Sequence, residues 1–257
     1  MTVVARMPRY WEKRFAPLPQ ISDAVLPVHY LDCPDSGRIY GFVRQPSQTL
    51  AIDLRQPADA ILGGFRASTR NEIRRAERER VSCQVTRNFD QFLALYQGMS
   101  RWKTLPPTPS SYLHSLGEHL YVTEAALEQR VVCCHLHIAD REVARVRLIR
   151  SASLFREIEH REQRIISRAN RLLYWHDMLL FRSKGFKVFD LGGYYPDTAP
   201  ANSELRRVNE FKMSFGGTLM CEANYLSCAL HAYRVCQGIY RTAKGIKKTA
   251  AVSGLVI

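Results

Sequence analysis

The sequence predicts a mixed α/β (α+β) fold, with a mostly antiparallel sheet joined later by parallel strands and flanked by helices. Three observations carry this. Three strand-like segments follow one another at residues 120–124, 129–139 and 142–149, with Asp140-Arg141 as the tight turn between the last two. Phe92, Leu95, Tyr96 and Met99 recur at helical spacing. A second helical stretch, 167–184, leads through Gly185 into the apolar run 187–191. A strand reached by a crossover helix runs parallel to the strand before it.

Residues 1–48 are rich in proline and read as an irregular arm with short strands. Residues 39–43 and 50–54 are two strand candidates, the latter apolar at alternate positions. Residues 58–80 read as one helix, with Thr69 and Glu72 at capping-box spacing and Ile73 and Ala76 as its narrow apolar side. Residues 81–86 suit a strand and 89–102 a helix. Leu105-Pro106-Pro107-Thr108-Pro109 breaks the chain, and 110–119 reads as a helix capped by serine. Residues 151–158 continue the sheet. In the helix 167–184, Leu172, Leu173, Trp175, His176, Leu179 and Leu180 lie along its length, and Gly185 ends it. After strand 187–191 come a loop at 196–202, a short helix at 203–209, and two strands within 211–226 that turn near Gly216-Gly217. Parallel strands that part leave a cleft, and ligands favour their carboxyl ends. The expected organisation is an arm at 1–56, a main domain at 57–226 and a basic helical tail at 227–257.

Lys and Arg total 37 against 24 Asp and Glu, a net charge of +13. Such an excess attracts nucleic acid, anionic lipid or anionic nucleotide-bearing substrates. The seven cysteines are odd in number and irregularly spaced. Cys133-Cys134-His135-Leu136-His137 has a metal-like look, yet neighbours on a strand face opposite sides, so the expectation is a buried strand with free thiols and no metal. Residues 1–14 lack the apolar stretch of a signal peptide and no run is long enough to span a bilayer, so the expected location is the cytoplasm. The tail 231–248 carries Arg234, Arg241, Lys244, Lys247 and Lys248 without an acid, and Tyr233, Cys236, Ile239 and Tyr240 fit a helical stripe. It can lie on an anionic membrane surface, at the periphery of the inner membrane, or along RNA, or pack on the domain with its lysines in water.

Three segments together resemble a known family. Arg70-Asn71-Glu72-Ile73-Arg74-Arg75-Ala76-Glu77-Arg78 resembles the "R-x-x-I-R-x-A-E" helix of FemAB-like transferases. Ala169-Asn170-Arg171-Leu172-Leu173-Tyr174-Trp175, then Gly185 and Asp190-Leu191-Gly192-Gly193, resemble their central helix and following strand. Phe211-Lys212 with Phe215-Gly216-Gly217 resembles their closing "F-K-x-x-F-G-G". The resemblance spans roughly residues 50–226 and implies an acyl-CoA N-acyltransferase (GNAT-like) fold. It also implies transfer of an acyl or aminoacyl group from acyl-CoA or aminoacyl-tRNA to an amine of a cell-envelope or polysaccharide precursor, with no tightly bound cofactor. Full members carry two such domains, whereas here only residues 1–56 precede the expected main domain, so the resemblance implies a vestigial half-domain there. The pyrophosphate loop of ordinary GNAT enzymes is matched by Arg164-Ile165-Ile166-Ser167-Arg168-Ala169, with serine in place of the first glycine.

Acyl transfer to an amine passes through a tetrahedral oxyanion, which needs a cation or N–H donor where the charge develops. The resemblance gives that role to Lys212, pictured on a strand beside the glycines that end the preceding one; the alternative is a lysine that extends to solvent. Asp190, Tyr195 and Glu210 are candidate proton acceptors, with Tyr194-Tyr195 equally readable as packing. Ser167, Arg168 and Ala169 open the expected helix, whose free N–H groups can hold a phosphate, or Ser167 is a plain cap. Arg70 and Arg74 can grip phosphates of donor or acceptor, or belong to a solvated face. Phe211 lines the site or the core. Two rivals remain: a non-catalytic module that binds nucleic acid or another anionic ligand through its basic surface, and a thiol hydrolase built on Cys221.

Overall fold

A computed structural model describes residues 3–103, 109–154, 160–195 and 204–243. In chain order the elements are β1 (Val3–Met7), β2 (Tyr10–Arg14), β3 (Val28–Pro34), β4 (Phe42–Asp53), α1 (Ala58–Gly63), α2 (Ala67–Arg78), β5 (Ser82–Thr86) and α3 (Phe89–Lys103). They continue as α4 (Ser110–Leu116), β6 (Leu120–Leu127), β7 (Arg130–Asp140), β8 (Arg145–Ser153), α5 (His160–Ser183), β9 (Val188–Tyr194), α6 (Glu204–Met213), β10 (Thr218–Ser227) and α7 (Cys228–Ala243). The loop expected at 105–108, the extension 155–158, the loop 196–202 and the tail beyond 243 lie outside the described residues.

The chain divides into two compact units. The first holds the described residues up to 48, with 109–117 and 220–243. Its strands run in the order β1-β2-β3-β10. β1 and β2 are antiparallel, β2 and β3 parallel, and β3 and β10 antiparallel. The proline-rich arm is therefore more ordered than its composition suggests. Val28, Tyr30, Cys33, Phe42, Ala223 and Tyr225 form its core. Leu230 anchors α7 within this unit, while Tyr233, Val235 and Cys236 are exposed.

The second unit carries the strand order β4-β9-β8-β7-β6-β5. β5 to β8 form an antiparallel ladder and β9 joins β8 in parallel, through Arg145–Val188, Val146–Phe189 and Arg147–Asp190. The predicted order, antiparallel first and parallel after the crossover helix, holds here. Helices α2 and α5 pack on each other and α3 packs on β7 and β8. Ile73 and Ala76 of α2 and Leu173, Met178 and Phe181 of α5 enter one core with Leu148, Phe189 and Leu191. Burial of these side chains, at about 1.5–3 kcal/mol each, holds the helices to the sheet.

Several boundaries differ from the sequence reading. Residues 39–43 and 50–54 are not two strands; β4 starts at Phe42 and runs through Asp53, and Ile39 stays outside it. The helix expected at 58–80 is broken in two because Phe65 dives into the core, edge-on to Trp175 and Phe215 at ring distances of 5.6 and 5.3 Å. Thr69 is thus buried inside α2, whose cap position is Arg66, and the capping box does not form. Pro109 takes the cap position of α4, with no serine cap bond. α5 begins at His160, seven residues before the expected start. The largest change concerns Phe211 and Lys212. They close helix α6 instead of opening a strand, and a single strand, β10, follows in place of a pair. Gly216, at φ 74°, ends that helix, its N–H bonding to the Met213 carbonyl.

Candidate active site

β9 is apolar except for Asp190, and a buried carboxylate in such a strand needs compensation. It finds four donors. Asp190 Oδ1 accepts from the Thr49 hydroxyl and, at 2.7 Å, from the Gly192 N–H. Oδ2 accepts from Arg145 and, at 2.9 Å, from Arg147 Nη1. Arg145 and Arg147 alternate on β8, so one face of that strand brings both guanidiniums to the same acid. Burial raises the Asp190 pKa, but Arg147, Arg145 and Thr49 outweigh it and hold the carboxyl well below the usual range.

Two residues beyond Asp190 the strand carries Gly192-Gly193, just before its end at Tyr194, and α6 closes over it. Asn209 and Lys212 are three apart and share a helix face. The Asn209 side chain accepts from the Tyr195 N–H at 3.2 Å and donates to the Tyr195 carbonyl at 2.5 Å. Lys212 is 2% exposed and its Nζ donates to the Gly193 carbonyl at 2.7 Å. No carboxylate among the described residues lies within salt-bridge distance of it. Burial lowers its pKa from 10.5 to about 7; Arg147 lowers it further and Asp190 opposes. The amine is thus a buried, poorly compensated base one carbonyl below the half-buried residues Gly193, Tyr194 and Tyr195. Phe211 and Phe215, four apart on the same side, hold α6 on Tyr174 of α5 at ring distances of 5.4 and 4.9 Å.

The remaining predicted residues are placed as follows. Tyr195 is half-buried, and burial raises its hydroxyl pKa against the opposing fields of Arg147 and Arg150. Glu210 is on the exposed side of α6, paired with Arg206. Ser167, Arg168 and Ala169 are a correction: they lie within α5, not at its start, so their N–H groups are not free to hold a phosphate. Ser167 Oγ accepts from Arg171 at 2.6 Å, Ala169 is buried, and Arg168 is 5% exposed in a two-point pair with Glu79 at 2.8 and 2.5 Å. Arg70 Nη1 donates to the carbonyls of Gly63 and Phe65, and Arg74 is exposed on α2. Phe211 is partly buried, with the Arg171 guanidinium 5.0 Å above its ring. Cys221 is exposed on β10. The site therefore gathers Lys212, Asp190 and Tyr195. Sequence reasoning missed Arg145, Arg147, Thr49 and Asn209; the isolated acid in an apolar strand and the alternating arginines were the available signals.

No family model and no curated protein sequence matches the chain. Solved structures do. FemX superposes with a TM-score of 0.62 over 91% of this chain and 85% of its own, at 10% identity. The chain has the fold of FemX. L-PGS from Bacillus licheniformis shares this fold at a TM-score of 0.53 and 12% identity, covering 96% of this chain and 86% of that one. So does the C-terminal domain of an Agrobacterium fabrum protein described as a lysylphosphatidylglycerol synthetase, at 0.54 and 12%, covering 100% and 88%. No helix of the described residues is long and apolar enough to cross a membrane.

Proposed function

We propose that this chain is an acyltransferase that moves an acyl or aminoacyl group from acyl-CoA or aminoacyl-tRNA to an amine of a cell-envelope or polysaccharide precursor. The observation that carries the reading is the buried Lys212 amine at the glycine end of β9, backed by the Arg145–Asp190–Arg147 cluster. In its charged form Lys212 offers a dry, fixed donor to the oxyanion of the tetrahedral intermediate, where such donors act most strongly. Asp190 has its lone pairs committed to four donors and fixes Arg147 instead of taking a proton. Half-buried Tyr195 orients the acceptor amine. Transfer from an activated ester or thioester to an already neutral amine needs no stronger base. The fold shared with FemX, L-PGS and the lysylphosphatidylglycerol synthetase domain supports a transferase of this general kind, and the excess of 37 basic over 24 acidic residues suits either polyanionic donor. Both donors are made in the cytoplasm, and the proposal places the chain there, at the inner face of the membrane when its acceptor is lipid-linked.

The test is native mass spectrometry of the protein with CoA, a set of acyl-CoAs and charged tRNA, followed by transfer assays with the donor that binds. With Lys212 acting as a cation, kcat/KM falls as pH rises through about 7, the value set by its burial. Lys212→Ala that folds, binds the donor and no longer transfers supports the enzyme. Lys212→Ala with unchanged biological activity replaces it with the non-catalytic binding module.

A further inference from the structure

Below Tyr174 lies a second polar cluster with no place in acyl transfer. His135 and His137 are two apart on β7 and share the face turned to α5, from which Asp177 reaches them. All three are fully buried. His135 Nδ1 is 2.6 Å from Asp177 Oδ2, and His137 Nε2 is 3.2 Å from the same oxygen. His135 Nε2 is 2.9 Å from Asn170 Oδ1. With the Asn170 amide oxygen facing it, Nε2 carries the proton, and a neutral ring then points its Nδ1 lone pair at a carboxylate. Both ring nitrogens of His137 and Asp177 Oδ1 lack a well-formed hydrogen bond. Buried polar atoms in native proteins are paired, and orphans call for an unseen partner. One proton on His135 Nδ1 relieves a single contact and leaves those atoms unpaired. A divalent cation gathers His135 Nδ1, His137 Nε2 and the Asp177 carboxylate at one centre, with His137 Nδ1 left outside it.

We propose that His135, His137 and Asp177 bind a first-row divalent cation, zinc by donor type, as a structural clamp between β7 and α5. Two imidazole nitrogens and a carboxylate are an ordinary donor set for it, and the three ligand atoms lie within 4.8 Å of one another. The 3.2 Å separation is the ligand–ligand edge of a tetrahedron with bonds of about 2 Å, and the 2.6 Å edge must open by about 0.7 Å. Asn170 then plays the usual supporting part, accepting the other N–H of a metal-bound histidine. The neighbouring thiols stay out. Cys133 Sγ donates to the Ile166 carbonyl, and Cys134 is on the opposite face with a pKa pushed up to about 12 by burial. With the ligands fully buried, no coordination position opens to a substrate, so the ion's role is to hold α5, and through the Tyr174 ring 4.5 Å from His135, the platform of α6. The sequence, read alone, leads to no metal here; the third ligand comes from a helix 40 residues away.

The experiment uses the full chain, purified without chelator or metal column. Expected are one zinc per chain by elemental analysis and an unfolding midpoint that falls on chelation and recovers with added zinc. Cobalt exchanged into the site gives visible d–d bands without a thiolate-to-cobalt charge-transfer band. His137→Leu, which replaces a buried orphan by an apolar side chain, loses the metal and the zinc response. No retained metal together with a midpoint indifferent to zinc and chelator overturns the proposal. So does a thiolate band, or zinc kept by His137→Leu and lost by Cys228→Ser, since exposed Cys228 and His231 on α7 are the adventitious alternative. The wild-type readings decide the matter even where a variant fails to fold.

Discussion

Replacing Lys212 by methionine should make the protein more stable at neutral and acidic pH while abolishing transfer. A drop in pKa from 10.5 to about 7 means that the charged native amine is disfavoured by about 5 kcal/mol, at about 1.4 kcal/mol for each tenfold change. The unfolded chain keeps Lys212 protonated up to about pH 10.5, whereas the native chain sheds that proton near pH 7. Between these values the unfolded state binds more protons, so native stability rises with pH across the window. Below about pH 6 the native state carries the full cost, near pH 7 about 4 kcal/mol, and above about 10.5 none. Lys212→Met keeps the length of the side chain and removes the charge. It also removes one hydrogen bond to the Gly193 carbonyl, at about 1 kcal/mol. The expected gain at pH 6 is thus at most about 4 kcal/mol, and it shrinks to zero or below by pH 10. Urea unfolding of parent and variant at pH 6, 8 and 10 measures it, with unchanged m-values as the condition for comparison. A variant destabilised by the same amount at every pH would refute the reasoning, because the amine would then be a well-compensated ion in the parent.

Other consequences are as direct. Asp190→Asn leaves two partly buried guanidiniums without their anion and should lower stability by about 3–5 kcal/mol, seen in urea midpoints. Gly217→Ala puts a Cβ 2.7 Å from the Ala51 carbonyl oxygen and 2.8 Å from Ile52 Cδ1 at φ 95°, whereas Gly185→Ala meets open space at φ 82°. The first should melt at clearly lower temperature than the second, which carries only the left-handed backbone cost of about 1–2 kcal/mol. Arg168→Met removes the buried pair with Glu79 and should lower the melting temperature without raising the KM for the acyl donor, as expected of a residue within α5.

The alternation of apolar residues along 120–149 and the helical stripe at Phe92, Tyr96 and Met99 are local signals, set by which face of an element must leave water. They place β6 to β8 and α3 within a few residues of their positions, and Gly185 stops α5 where a left-handed residue is required. The segment 211–217 misleads because aromatics at 211 and 215 with Met213 between them satisfy a period of two as well as an i, i+4 helical pair. The choice falls to packing: the rings of Phe211 and Phe215 meet at 5.3 Å and both meet Tyr174, which only a helix allows. Lys212 as the functional candidate was legible, but the element that carries it, and hence its burial and its lowered pKa, were not.

What the sequence determined by itself is the order of elements from β5 to β9, the glycine that stops α5 and the singular acid of β9, because each depends on neighbours a few residues apart. What the tertiary structure alone decided is which polar and charged groups meet: Arg145 and Arg147 with Asp190, Asn209 with the Tyr195 backbone, His135 and His137 with Asp177. Those partners lie 14 to 45 residues apart. A buried charge is tolerable only beside its counterpart, and nothing in the local pattern of the chain encodes the distance over which folding brings the two together.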